Sequence, residues 1–330
     1  MERDKISVII PAYNASATIE RCLNSILGGH YRNIEVIVIN DASTDDTENI
    51  VRRYQEKDNR VVLINNEENH GCGYGKSFGA RNSTGRFITF CDADDWYDNN
   101  YLSEHHKHIS EYEADISQCR MQPTNLKDVG NSDKVDIIED GLVKKYIQYQ
   151  SVTVSICDKL FRRELVIGDD FLNELRYADD LYMNYIASRL CSRIVRFNST
   201  KYNWYCNSAS LSRGKFNPAR LECDFTAWNM IIFDCEKCYP ELVETARLSS
   251  ELWIAGTYRS MVNSHYHNEE LEKKIAQYIR QDGIIKTLAA EKNRANKRFI
   301  RLAMISMPLA RYTWYVLTGA KRMVKKEILR

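Results

Sequence analysis

No stretch of eighteen uninterrupted apolar residues occurs anywhere in these 330 residues, so the sequence predicts no membrane-spanning helix. The nearest approach, residues 299–319, is broken by Arg301, Pro308 and Arg311. The first residues carry only a short strand pattern and no apolar leader core, which predicts a cytoplasmic protein. Net charge is almost absent as well, at +1. That balance hides an asymmetry: residues 292–330 hold eleven Lys/Arg against the single acid Glu327, leaving the remainder at about −9. Internal repeats and low-complexity tracts are missing. The ten cysteines have no framework spacing. Cys235-x-x-Cys238 is a lone pair with His265-x-His267 far downstream, so no zinc finger is expected. The cysteines fall largely in apolar strand and helix patterns, as reduced, buried thiols do.

Two phosphate-binding signatures are also missing. Gly75-Lys76-Ser77 resembles the end of a P-loop, but His70 stands where the first glycine is required. Gly73-x-Gly75 lacks the third glycine of a dinucleotide fingerprint, because Phe78 occupies that position. The segment 71–75 therefore reads as a turn leading into a helix over 75–84, from which Lys76 and Arg81 would reach toward a nucleotide.

What is present is alternation. Strand patterns at 6–10, 35–39, 61–64 and 87–91 are separated by helical patterns at 16–27, 46–57 and 75–84. This order predicts an α/β fold with a mainly parallel sheet and helices on both faces. The middle is less regular: a strand at 114–119, a polar loop at 123–134, a helix at 140–149, a strand at 152–156, a helix at 179–190 and a strand at 193–197. From about residue 217 the pattern is helical. The expected organisation is a catalytic domain over 1–215, with a nucleotide-binding half at 1–96 and an acceptor half at 97–215, followed by a helical region over 216–330.

The first strands end in polar residues. The strand at 6–10 runs into Pro11-Ala12-Tyr13-Asn14, the strand at 35–39 into Asn40-Asp41-Ala42-Ser43-Thr44-Asp45, and the strand at 87–91 into Asp92-Ala93-Asp94-Asp95. Carboxylates at the carboxyl end of a buried strand project into the crevice beyond it. Their natural guest there is a hard divalent cation carrying phosphate oxygens. Asp41 and Asp92 are each able to accept from an imide N–H or a ribose hydroxyl, although Asp41 is also ordinary turn chemistry.

Taken in order, these motifs resemble the nucleotide-binding half of a family 2 glycosyltransferase of the GT-A fold. The matching segments are 7–14, 40–47, Asn69-x-Gly71, Ala80-Arg81-Asn82 with Gly85, and 90–95. Ala42 departs from the family's more usual glycine. Cys157-Asp158-Lys159-Leu160-Phe161 is similar to a later family segment, with two substitutions. Asp179-Asp180 stands where the family carries Glu-Asp at a helix start. Residues 205–213 resemble a loop that folds over the donor diphosphate, with Ser210, Ser212 and Arg213 as its phosphate contacts.

The resemblance implies an inverting transferase that uses a UDP-sugar. Pro11, Tyr13, Asn14 and Asp41 would hold the uridine, Asp92 would approach the ribose, and Asp94 would ligate Mn²⁺ or Mg²⁺. Asp180 would be the general base and Asp179 its neighbour. The implied acceptor is a glycan or lipid-linked oligosaccharide, and no nucleic-acid partner is expected. The alternatives are a nucleotidyltransferase making nucleotide sugars and a non-catalytic nucleotide-sugar-binding relative. Residues 292–330 mix their basic side chains with aromatic and aliphatic ones, a composition suited to the inner face of an anionic membrane or, equally, to packing on the catalytic domain.

Overall fold

The computed structural model describes residues 4–128, 130–168, 175–206, 216–279 and 299. The chain divides into two compact units, residues 1–214 and 215–330. In the first, β1 (Ile6–Ala12), α1 (Ile19–Leu27), β2 (Ile34–Asn40), α2 (Thr47–Lys57), β3 (Val61–Asn65), α3 (Cys72–Arg81) and β4 (Phe87–Phe90) follow one another. Then come β5 (Trp96–Tyr97), α4 (Tyr101–Glu111), β6 (Ile116–Pro123), β7 (Ser132–Ile138), α5 (Leu142–Ile147), β8 (Lys159–Arg162), α6 (Asp179–Leu190) and β9 (Ile194–Trp204). The second unit contains α7 (Pro218–Cys238), α8 (Val243–Asn263) and α9 (Glu269–Ile279), packed around Leu221, Phe225, Ile254, Tyr258 and Ile275.

Among the described residues the strands form one sheet in the order β3-β2-β1-β4-β8-β6-β9-β5, with β7 also paired to β9. β1 runs parallel to β2 and β4, and β2 to β3. β8 enters antiparallel between β4 and β6, and β9 runs parallel to β6. The sheet is thus mainly parallel, as expected. β1 and β2 are Val/Ile-rich and buried along almost their whole length, as strands covered on both faces must be. The carboxyl ends of β1, β2 and β4 consequently lie side by side, which brings residues 11–14, 40–45 and 91–95 to one edge.

Three local expectations are corrected. The glycine-rich segment is not a turn before a helix; it is the first part of the helix, which starts at Cys72 after Gly71 at φ +93°. The reason is close packing. A Cβ on Gly79 would meet Ile9 Cγ2 of β1 at 2.4 Å, and a Cβ on Gly73 would meet the Leu175 carbonyl at 2.3 Å and Asp179 Cβ at 2.9 Å. Those bare positions let α3 lie against the sheet on one side and against the start of α6 on the other. Second, 152–156 is no strand. Thr153 O and Oγ1 take the buried Lys159 ammonium at 3.0 and 2.7 Å, and the strand falls instead at β8. Third, the polar loop at 123–134 is shorter, because β7 starts at Ser132 and pairs with the edge of β9.

Glu35, at the start of β2, ties β1 and β2 to the turn before β4. Its carboxylate accepts from Ser7 Oγ at 2.5 Å, Thr84 N at 2.6 Å and Gly85 N at 3.1 Å, and pairs with Lys5 at 2.8 Å. Burial pushes its pKa up, but Lys5, Ser7 and Thr84 together outweigh burial and bring it down to about 2. A depressed folded pKa means stability that is present above the unfolded value of 4.5 and lost as the pH falls toward 2. Glu35→Gln is therefore expected to cost roughly 3 kcal/mol at pH 7, with the deficit shrinking as pH drops below about 5. Urea unfolding of both proteins at pH 7 and pH 3 checks this; an equal deficit at both would remove the linkage.

Candidate active site

The acidic motif after β4 separates its carboxylates by environment. Asp95 is buried, and burial followed by the charge of Asp92 pushes its pKa up to about 8. Its oxygens accept from Tyr202 Oη at 2.5 Å and from the Tyr205 backbone N at 2.7 Å. Asp92 and Asp94 are only partly buried. Asp92 faces Lys76 at 3.9 Å, and burial raises its pKa. The Asp94 carboxyl accepts from its own backbone, and burial raises its pKa. Cys157 opens the segment that resembles the later family motif; the next two residues, Asp158 and Lys159, form a fully buried ion pair at 2.9 Å that fixes the strand behind it.

α6 delivers the second acidic pair. Its N-terminus begins after Ala178, which adopts a left-handed conformation at φ +61°. Lys76 reaches this pair from the middle of α3. Its Nζ lies 2.6 Å from Asp180 Oδ1 and 2.9 Å from Asp179 Oδ2, and its side chain is 3% exposed. The two acids are not equivalent: Asp179 is 13% exposed and Asp180 31%. Burial, partly offset by Lys76, pushes the Asp179 pKa up to about 6. Lys76 shifts the other way from an isolated buried lysine: burial would lower its pKa, but Asp179 and Asp180 carry it well above its ordinary value. One ammonium against Asp92, Asp179 and Asp180 leaves this cluster at a formal −2.

The nucleotide side is built from loops at the ends of β1 and β2. Asp41 is buried, and its oxygens accept from Asn66 Nδ2 at 2.8 Å, His70 N at 3.0 Å and Gly71 N at 2.7 Å. It organises the approach to α3, and Oδ2, which accepts from Gly71 N, retains acceptor capacity. Asn14, at φ +49°, latches the two loops: its N donates to Ser43 Oγ at 3.0 Å and its Oδ1 accepts from Thr44 N at 2.8 Å. Ala42 takes φ +58°. A left-handed alanine costs about 1–2 kcal/mol, which explains why glycine suits that position. Pro11 is partly buried and Tyr13 is 52% exposed, beside the same edge.

The structure thus brings Asp92, Asp179, Asp180 and Lys76 together, and sets Asp94, Asp41, Asn14 and Tyr13 on the loops of the same sheet edge, with Pro11 at the end of β1. One basic residue differs from the sequence expectation. Lys76 does not stand open to a nucleotide but is taken by the carboxylates. Arg81, more than one turn further along α3, donates to Ser77 Oγ at 2.8 Å. Ser210, Ser212 and Arg213 lie outside the described residues, as does all of 292–330 except Phe299. Sequence reasoning missed Arg21, Tyr202 and the strut role of Asp95. Only Asp95 carried a signal, as the last member of the acidic run.

Residues 7–168 match the family described as "Glycosyl transferase family 2". These residues form a domain of that family. It is similar to the glycosyltransferase GlyA of Streptococcus pneumoniae, with 31% identity over 64% of this chain and 32% of GlyA, so the match spans about a third of that protein. In structure it is similar to residues 1–349 of S. aureus TarS in a complex with UDP-GlcNAc. That match has 21% identity, covers 96% of this chain and 92% of the other, and has a TM-score of 0.69. It is also similar to the mannosyltransferase PcManGT of Pyrobaculum calidifontis in complex with GDP-Man and Mn²⁺, at 18% identity, 93% and 88% coverage and a TM-score of 0.58. Among the described residues no helix is long and apolar enough to cross a membrane. All ten cysteines are free thiols, six of them buried.

Among the described residues no group of three or more His, Cys, Asp or Glu side chains could hold a metal ion unaided. A small divalent cation serving phosphates does not need one; it takes one or two carboxylates and completes its shell with phosphate and water oxygens. The open carboxylate of Asp94, near a cluster with excess negative charge, fits that donor set.

Proposed function

We propose that this protein is an inverting glycosyltransferase that moves a sugar from a UDP-sugar to a hydroxyl of a glycan or lipid-linked acceptor. The observation that carries the reading is the meeting of the acidic motif and the α6 carboxylates around the buried Lys76 ammonium. UDP is favoured over other nucleotides because Asp41 keeps an acceptor oxygen for an imide N–H beside Tyr13 and Asn14; the UDP-GlcNAc bound by TarS supports that choice. Asp92 is assigned to the ribose and Asp94 to Mn²⁺ or Mg²⁺. When bound, the cation neutralises charge gathering on the departing diphosphate.

The residues then divide the work. Asp180 accepts the proton of the acceptor hydroxyl. Lys76 points Asp180, its ammonium 2.6 Å from Oδ1, and Asp179 shares that ammonium at 2.9 Å. Attack from the face opposite the leaving diphosphate, on a carbon with oxocarbenium character, is a single displacement and inverts the anomeric centre. Free thiols and a nucleotide-sugar donor suit a reducing, cytoplasmic compartment, and residues 292–330 are assigned to an anionic membrane surface.

The test is UDP release from a donor panel, with and without candidate acceptors, in Mn²⁺ and in excess EDTA. Acceptor-stimulated release from a UDP-sugar, abolished by EDTA and by Asp94→Ala, is expected. Pyrophosphate exchange in place of UDP release would point to a nucleotidyltransferase; UDP-sugar binding without turnover would point to a binding relative. Co-sedimentation with anionic but not neutral vesicles, lost on truncation at 295, is expected of the tail, and equal recovery in both supernatants would leave it a packing element.

A further inference from the structure

Arg21 lies on α1, outside every motif, yet it reaches the acidic turn. One Nη donates to the Asp94 backbone carbonyl at 2.6 Å. The same guanidinium sits 4.2 Å from the Trp96 ring centroid and 4.6 Å from that of Tyr205. The two rings are 6.4 Å apart. The cation is thus held between a ring on the acidic turn and a ring just past β9 while its in-plane N–H holds Asp94. Only a planar guanidinium combines stacking on ring faces with donation in its own plane.

The surrounding bonds show what this contact secures. Asp92 N donates to Tyr202 Oη at 3.2 Å, and Asp95 accepts from Tyr202 Oη and from Tyr205 N. Trp96 pairs with Asn203 in the sheet. The backbone on either side of Asp94 is therefore stitched to β9. Among the described residues, no side chain donates a hydrogen bond to the Asp94 carboxylate. Its direction follows from its backbone, and Arg21 is the side chain that fixes that backbone at its carbonyl.

We propose that Arg21 is a positioning residue for Asp94 and thereby sets the affinity for a divalent cation bound with a nucleoside diphosphate. The inference rests on the assignment of Asp94 to the metal. Outer contacts that orient a metal ligand are typically worth 10–100-fold in metal affinity. A lysine would keep the charge but not the double stacking, so Arg21→Lys is expected to behave like Arg21→Ala.

The experiment measures Mn²⁺ binding to the full chain at saturating UDP, with free Mn²⁺ read by electron paramagnetic resonance. Metal-free UDP binding is followed in parallel by calorimetry. Arg21→Ala and Arg21→Lys are each expected to weaken Mn²⁺ binding about 10-fold or more, with metal-free UDP affinity unchanged. Adding either to Asp94→Asn should cause no further loss. Tyr205→Leu, which leaves the charge in place and removes one ring, should give a smaller loss in the same direction and decides the matter if the Arg21 variants do not fold. Wild-type Mn²⁺ affinity in these variants, or equal losses of Mn²⁺ and metal-free UDP binding, overturns the proposal. Absence of Mn²⁺ binding in the wild type would overturn the metal assignment beneath it, and is seen before any variant is made.

Discussion

Asp180→Asn is expected to lower turnover by roughly 10²-fold or more, the scale of a lost general base, while UDP-sugar affinity stays within about twofold. Asparagine keeps an oxygen for the Lys76 ammonium, which lies 2.6 Å from the present carboxylate, so the local geometry has reason to persist. What it removes is the capacity to take a proton. The choice of Asp180 over Asp179 follows from exposure: Asp180 opens to the crevice, whereas Asp179 is more deeply enclosed against Lys76 and α3. Asp179→Asn should therefore cost less in turnover and more in stability. Single-turnover rates with calorimetric donor affinities for both variants separate the roles. A crippled Asp179→Asn beside a nearly active Asp180→Asn would exchange the two.

The parallel half of the fold was legible because its strands are mostly apolar runs that end in polar motifs at the same edge. The acid positions at 92–95 and 179–180 were legible because runs of acids at element ends stand out against the apolar patterns beside them. Lys76 was harder. Its sequence surroundings, Gly75-Lys76-Ser77, suggested an open phosphate contact, and nothing local shows that Gly73 lets α6 approach so closely that two carboxylates capture the ammonium. The strand at β8 was misplaced because the buried Lys159 draws the backbone of residues 153–155 into a turn, a tertiary contact no β-propensity reflects. Arg21 was invisible, since its role depends on Trp96 and Tyr205, far apart in the chain and joined only when β5 pairs with β9.

Lys76→Met is expected to be a severe loss in both stability and activity. Removing one partner from a buried charge cluster typically costs about 3–5 kcal/mol, because the remaining charges lose their compensation. Here Asp92, Asp179 and Asp180 would face one another with no cation among them. The sign of the pH dependence follows. Without the ammonium the carboxylate pKa values rise above their present positions, and a raised folded pKa means stability that is lost as pH increases. Already in the intact site Asp179 stands near 6. The variant should therefore fall furthest behind the wild type at pH 8 and regain ground at pH 5.5, where protonation relieves the repulsion. Lys76→Met combined with Asp179→Asn removes one cation and one anion together. It should recover much of the lost stability while remaining poorly active, because Asp180 is left without its clamp. Thermal midpoints of the three proteins at both pH values, alongside turnover, provide the measurement. A Lys76→Met variant equally stable at pH 5.5 and 8, or a double variant no better than the single one, would show that the ammonium is not what holds these carboxylates together.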